Sequence, residues 1–320
     1  MTDSAGYRRI HAKLCGAALP AEPWRGEVKS VFTRAINIIR SGSELVSLVT
    51  EPLQMTDFSL LLPSLPRLTE GMKVRGDAFS LTAPDSSLPS HRSVSPVEID
   101  LRRCTRWSGS ISPPFCQALT FGGEFSEKPA LLENALGNSH AKEGLLGIAA
   151  GEKNLWARKA ERSLTEASAA AHREEPPDLS PLIGLGVGFT PSGDDFIVGA
   201  CAAEELLRHY SEERALPAPP RIARDPLREK AGATTYGGAA LLRSAAAGSY
   251  SALILELLRQ LTAAHRMQDY AAAVETAETY GETSGIDSLT GIWWYLDLAR
   301  PLLTFFPSSH SEPHSDSYSD

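Results

Sequence analysis

Chemistry concentrates in the run Leu182-Ile183-Gly184-Leu185-Gly186-Val187-Gly188-Phe189-Thr190-Pro191-Ser192-Gly193-Asp194-Asp195. Alternate glycines at Gly184, Gly186 and Gly188 remove side chains where a backbone must turn sharply or approach a ligand, and leave peptide N–H groups available to an anion. Such a loop suits phosphate or carboxylate. Its GxGxG order fits neither the dinucleotide fingerprint GxGxxG nor the phosphate loop ending in Gly-Lys-Ser/Thr, so no nucleotide fold follows from it.

The run leads into a predicted helix with Phe196, Ala200, Ala203, Leu207 and Tyr210 on one face and Glu204, Glu205 and Arg208 elsewhere. Ser192 is placed to cap that helix, with Asp195 three residues on as a capping-box variant. Asp194 and Asp195 also complement the positive end of the helix dipole. Capping alone accounts for Ser192 or Asp195 taken singly. It accounts less well for three glycines, two hydroxyls and two carboxylates together with Gly193 in so short a stretch, which favours a ligand loop.

A second segment, Ser284-Gly285-Ile286-Asp287-Ser288-Leu289-Thr290-Gly291, repeats the Ser, Gly, Asp and final Gly of Ser192 to Gly199. Both open predicted helices. If the two helix starts converge, their N–H groups and carboxylates grip opposite sides of one small polar ligand; recurrence of a good capping sequence explains the echo equally well. On the shared-site reading Asp195 and Asp287 are the candidate catalytic groups. Gly184, Gly186, Gly188, Thr190, Ser192, Gly193, Asp194, Thr283, Ser284 and Gly285 form the candidate anion-binding set. Thr234 and Thr235 offer further hydroxyls, with helix capping as their more ordinary role.

The elements that position these loops are of two kinds. In the first third, Ala35 to Ile39 and Leu45 to Val49 are β-rich runs around Ser41, Gly42 and Ser43, a predicted hairpin. Val97, Ile99 and Leu101 alternate with charged residues as a half-buried strand, Met72 to Leu81 is a weaker strand, and Thr82 to Pro96 reads as a loop. From Pro129 onward the periodicity is helical, as in Glu152 to His172, with Pro-rich connectors at Glu174 to Pro181 and Leu216 to Pro226. The expected class is α+β: a β-rich part over 1–127, a mainly helical part over 128–306 carrying the Gly-rich ligand loops, and a disordered tail over 307–320.

With a net charge of −8, the 320-residue chain has no general attraction for nucleic acid or anionic lipid, so an anion must be caught locally. No apolar run approaches the ~20 residues that span a bilayer. Cys15, Cys104, Cys116 and Cys201 are scattered, without CxxC pairs or zinc spacing, which reads as a reducing compartment; a cytoplasmic location is expected. Trp293, Trp294 and Tyr295 read as core or subunit contact.

The glycine run resembles the hallmark of the AllH family, close to GxGPGLTPSGDD, over Gly184 to Asp195, with Val187 in place of the usual Pro and Phe189 in place of Leu. Ser30 to Asn37 is similar to the family's Ser-x-Phe-x-Arg-Ala-x-Asn stretch, which adds Arg34 and Asn37 as anion-binding candidates. Thr234 to Gly248 resembles its Thr-rich helix start, and Tyr280 to Gly291 its Gly-His-Thr-Ser-Gly-x-Asp segment. Glu282 replaces the usual His, and Gly238 a common Ser.

The resemblance implies a carbamoyltransferase subunit that, with other subunits, phosphorolyses oxalurate to oxamate and carbamoyl phosphate in anaerobic allantoin breakdown. The expected ligands are then phosphate, carbamoyl phosphate, oxamate or oxalurate. A non-catalytic module that binds a small carboxylate or phosphate and completes a partner enzyme is the alternative. Metal-dependent phosphoryl transfer through Asp194 and Asp195 is disfavoured, because the glycine loop has no Lys or Arg. No cofactor is expected: Mg²⁺ is conceivable at the two aspartates, but two carboxylates do not make a metal site.

Overall fold

The computed structural model describes residues 8–40, 42–83, 96–141, 143–151 and 154–305. Ten strands form one sheet: β1 (Arg8–His11), β2 (Leu14–Gly16), β3 (Trp24–Val31), β4 (Ala35–Arg40), β5 (Leu45–Val49), β6 (Ser59–Leu61), β7 (Lys73–Gly76), β8 (Ser80–Ala83), β9 (Val97–Asp100) and β10 (Thr105–Trp107). Their order is β1-β9-β8-β7-β3-β4-β5-β6-β2-β10. β1 and β2 are one nearly continuous line of chain, and so are β9 and β10. Because β1 pairs parallel with β9 and β2 pairs parallel with β10, the two ends of the sheet meet and it closes on itself. The junction is sewn by Ala12 N–H to Asp100 C=O at 3.1 Å and Thr105 N–H to Lys13 C=O at 3.1 Å. Closure leaves no unpaired edge there.

The closed sheet is filled by the inward residues of its strands, including Ile10, Val28, Ile38, Leu48, Val74, Leu81 and Ile99. The predicted hairpin is β4–β5, in antiparallel register from Ala35↔Val49 to Ile39↔Leu45. The alternation around Val97 is β9, with Val97 and Ile99 buried. The weaker Met72 to Leu81 signal resolves into β7 and β8. Of the predicted Thr82 to Pro96 loop, residues 84–95 lie outside the described residues, as does the tail from 306.

The scattered-cysteine reading needs correction: Cys15 in β2 and Cys104 just before β10 are joined as a disulfide, with Cα atoms 6.0 Å apart. Eighty-nine residues separate them, so only the parallel pairing of their strands brings them together.

Helices follow: α1 (Pro113–Gln117), α2 (Lys128–Gly137), α3 (Gly147–Ala150), α4 (Leu155–His172), α5 (Ser192–Glu213), α6 (Arg224–Lys230), α7 (Tyr236–Ala246), α8 (Ala252–Ala263), α9 (Met267–Glu278), α10 (Ser284–Leu298) and α11 (Arg300–Leu303). α-Helix thus begins at Pro113, inside the stretch expected to be β-rich, and α6 takes in the end of the Leu216 to Pro226 connector, with Pro226 in its first turn. Among the described residues no helix is long and apolar enough to cross a membrane.

α5 is not the one-faced helix its charges suggested. From Ser192 to Glu204 every residue is buried, and Glu204 is accommodated by an ion pair with Arg224. Small residues permit this. Gly199 of α5 lies against the carbonyl of Ser288, and Gly291 of α10 against the carbonyl of Phe196, so that a Cβ at either glycine would overlap a backbone oxygen. Trp293, Trp294 and Tyr295 are core residues of α10. The helical layer is tied to the closed sheet by Tyr250 N–H to Gly109 C=O, Ala252 N–H to Met55 C=O and Ser244 Oγ to Asp57 Oδ1, at 2.9, 2.9 and 2.8 Å. That seam leaves a cleft beside it.

Candidate functional site

The cleft has a volume of about 740 Å³ and is walled on one side by the β3–β4 turn and strand β5, on the other by the glycine loop and the starts of α5 and α10. Gly184, Gly186 and Gly188 have φ of 74°, 120° and 99°, so the chain here alternates between left- and right-handed φ. Only glycine takes such a sequence without strain. At Gly186 space adds to conformation, since a Cβ would stand 2.6 Å from the Ser192 nitrogen. The result is a concave run of backbone. The N–H groups of Gly186, Val187, Gly188, Phe189 and Thr190 donate to no acceptor among the described residues, the arrangement by which backbone amides hold anions.

What fixes the loop is Asp194. Its buried carboxylate accepts from Gly184 N–H at 2.8 Å and from Thr234 Oγ1 at 2.6 Å. Burial pushes its pKa up, against those two bonds. Thr235 caps α7 by accepting from Gly238 N–H and donates to the Phe189 carbonyl at 2.6 Å. Asp194, Gly193, Gly184, Thr234 and Thr235 therefore stand behind the cavity rather than on its wall. Gly238 belongs to the same brace, because a side chain there would run into Asp194 Oδ2.

The capping expectation for Ser192 and Asp195 is corrected. α5 begins at Ser192 with Pro191 as its cap residue and no side-chain cap, and α10 begins at Ser284 without one either. Both serines turn toward the opposite helix instead. The hydroxyls of Ser284 and Thr190 act on Asp195, and those of Ser192 and Thr283 act on Asp287. Thr190 Oγ1 and Ser284 Oγ are 2.8 Å apart. The echoed segments thus meet at Thr190 and Ser284, and the serine at each helix start favours the charged form of the other helix's aspartate against burial. Thr190, Ser192, Thr283 and Ser284 line the cavity, with the two carboxyls directly behind them.

Asp195 and Asp287 are 3% and 0% exposed, and the Oδ2 atom of each has no hydrogen-bond partner among the described residues. Burial is the main cause that raises Asp195 well above the ordinary carboxyl range, and the charge of Asp287 adds to it. Asp287 is pushed up to about 6 by burial, opposed by Leu145 N–H, Ser192 and Thr283. Burial of this kind keeps the Asp195 carboxyl protonated near neutral pH.

A folded pKa above the unfolded value means that the folded chain binds the proton more tightly. The associated stability is therefore complete below the ordinary value of 3.8 and lost as pH rises to about 6, with no further change above. For Asp287 that loss is roughly 3 kcal/mol. Asp287→Asn is expected to flatten this fall relative to the wild type in urea denaturation at pH 4, 5, 6 and 7; an unchanged slope would show that Asp287 is not the titrating group.

Reading the sequence missed the segment Glu143–Leu145. Leu145 N–H donates to Asp287 Oδ1 at 2.6 Å, and Gly144, with φ 73°, leaves room for that carboxylate where a Cβ would overlap it. Asn154 caps α4 and holds the Gly144 carbonyl at 2.8 Å, which fixes the segment. Tyr280 was also missed; it lines the cavity, and burial pushes its hydroxyl up to about 12.

Across the cleft, Asn37 is buried and donates to Ser30 Oγ at 3.1 Å while accepting from Ser47 Oγ at 2.7 Å. Arg34 is exposed at the cleft mouth, immediately before β4, and its guanidinium has no partner among the described residues. No other Lys or Arg is on the cavity wall among those residues. Phe32 reaches over to Phe189 with ring centroids 6.1 Å apart, so the β3–β4 turn touches the glycine loop. Glu282 and Glu143 also line the cavity, both exposed.

No curated protein and no solved structure matches the chain. Two family models do: the AllH family N-terminal domain over residues 7–106, the closed sheet with Arg34 and Asn37, and oxamate carbamoyltransferase subunit AllH over residues 182–296, from the glycine loop through α10. Together they span most of the chain and both walls of the cleft, and the chain belongs to the AllH family.

Proposed function

We propose that the chain is a subunit of an oxamate carbamoyltransferase that works in the cytoplasm and takes oxalurate and phosphate to oxamate and carbamoyl phosphate. The observation that supports this reading is the pairing, in one cavity, of the Arg34 guanidinium with the N–H groups of Val187 to Thr190, none of which has a hydrogen-bond partner among the described residues. The reactants of this reaction are anions. Arg34 can hold a carboxylate or phosphate through two parallel hydrogen bonds. The glycine-loop N–H groups suit the oxygen on the carbamoyl carbon, which gathers negative charge as phosphate adds to it. As the bond from that carbon to the oxamate nitrogen breaks, the nitrogen needs a proton; the buried Asp195 carboxyl holds one, and the Thr190 and Ser284 hydroxyls connect it to the cavity.

The test is to measure carbamoyl phosphate and oxamate from oxalurate and phosphate with the purified chain alone and then with candidate partner subunits. We expect turnover in the mixture that persists with EDTA. Ligand binding without turnover in any mixture would favour a binding module, and chelator-sensitive turnover would overturn the metal-free reading.

A further inference from the structure

The wall of the cavity opposite Arg34 has an uneven supply of protons. Four hydroxyls line it, and behind them lie two buried carboxyls, each with one oxygen lacking a hydrogen-bond donor among the described residues. A hydroxyl carries one proton and two lone pairs. Beside a buried carboxylate with an unsatisfied oxygen, that proton is drawn to the carboxylate, because an unpaired buried charge is far costlier than a rotated hydroxyl. At Ser192 and Thr283, beside Asp287, the cavity then meets lone pairs.

The effect is clearest at Asp287. Leu145 N–H already holds its Oδ1 at 2.6 Å, so Ser192 and Thr283 are the hydroxyls left to serve the rest of the carboxylate. The carboxylates of Glu143 and Glu282 add further acceptors to the cavity lining. Charge is therefore divided across the cleft, with the guanidinium on one wall and acceptors around Thr283 on the other.

We propose that Ser192 and Thr283, oriented by Asp287, form a subsite that reads an N–H2 group, the amide end of a carbamoyl or oxamate-like ligand whose anionic end lies at Arg34. This rests on the anion-site reading above and makes it specific. A ligand of the same shape with a carboxylate oxygen in place of the NH2 sets lone pairs against lone pairs and is rejected.

Oxamate and oxalate differ in that one replacement, and calorimetric titration of each at pH 7.5 measures the discrimination. Oxamate is expected to bind at least ~100-fold more tightly than oxalate, as in sites built around a buried polar partner. Asp287→Asn brings an amide N–H2 to the side of the orphaned oxygen; it donates to the hydroxyls and turns their protons toward the cavity. Oxamate should then weaken and oxalate strengthen, lowering the ratio by at least about tenfold, a reversal that a merely structural role for Asp287 does not produce. Thr283→Val provides a check independent of that carboxyl: oxamate alone should lose affinity. Equal binding of the two anions by the wild type, or a ratio unmoved in both variants, overturns the amide subsite while leaving the anion site standing. Failure of oxamate, oxalate and phosphate alike to bind the wild type overturns both.

Discussion

Arg34→Met is expected to weaken phosphate and oxamate binding by about 100-fold while leaving the melting temperature of the free protein unchanged. The size follows from the loss of a charge-assisted, two-pronged hydrogen bond in a cleft with no second Lys or Arg on its described wall. The selectivity follows from exposure. Arg34 makes no ion pair within the described residues, and substitutions of free surface residues usually change stability by less than ~0.5 kcal/mol. Arg34→Lys should recover part of the affinity, because an ammonium restores charge but not the planar fork. Calorimetry on the three proteins decides the matter; equal affinities would remove Arg34 from the site.

The largest effect on stability should come from the crossing of α5 and α10. Gly199→Ala and Gly291→Ala each force a methyl group into a backbone carbonyl, that of Ser288 or Phe196, and no rotamer change relieves such an overlap. The helices must move apart, at a cost of at least ~3 kcal/mol and a fall in Tm of roughly 6 to 12 °C. Gly137→Ala is the control: a Cβ there meets nothing within 4 Å, so the change should be neutral or stabilising by up to ~1 kcal/mol. Because the reciprocal Ser–Asp contacts sit just ahead of the crossing, surviving folded Gly199→Ala protein should also lose ligand affinity. A Tm equal to that of the control would mean that the crossing is looser than described.

How much of this was legible in the sequence depended on where the information lies. The β4–β5 hairpin could be read because β-rich runs flank a short turn, and both features are local. The glycine loop could be read because positive φ leaves its mark on residue type at Gly184, Gly186 and Gly188. Closure of the sheet could not: the β1–β9 and β2–β10 pairings join residues about ninety positions apart, and parallel partners leave no turn to mark them. α5 was misjudged because its charges were weighed above Gly199, Ala200, Cys201, Ala202 and Ala203, a run of small residues that signals a helix packed closely on several sides.

The site was legible in its echo and obscure in its wiring. Recurrence of Ser-Gly-x-Asp pointed to two similar helix starts, and the sequence left convergence and mere capping evenly matched. Folding decided for convergence, with Thr190 and Ser284 in hydrogen-bond contact and neither serine capping its own helix. Glu143–Leu145 escaped notice because it contributes a peptide N–H and a missing Cβ, neither of which has a sequence signature of its own.

The central claim is that a small anion sits in the cleft between Arg34 and the glycine loop. It is tested most directly by following the backbone amide resonances of Gly186 to Thr190 in isotope-labelled protein during titration with phosphate and with oxamate. These amides should move together and saturate with either anion, and they should stay in place when Arg34→Met is titrated over the same range. Saturable binding that shifts amides elsewhere and leaves Gly186 to Thr190 unmoved would contradict it.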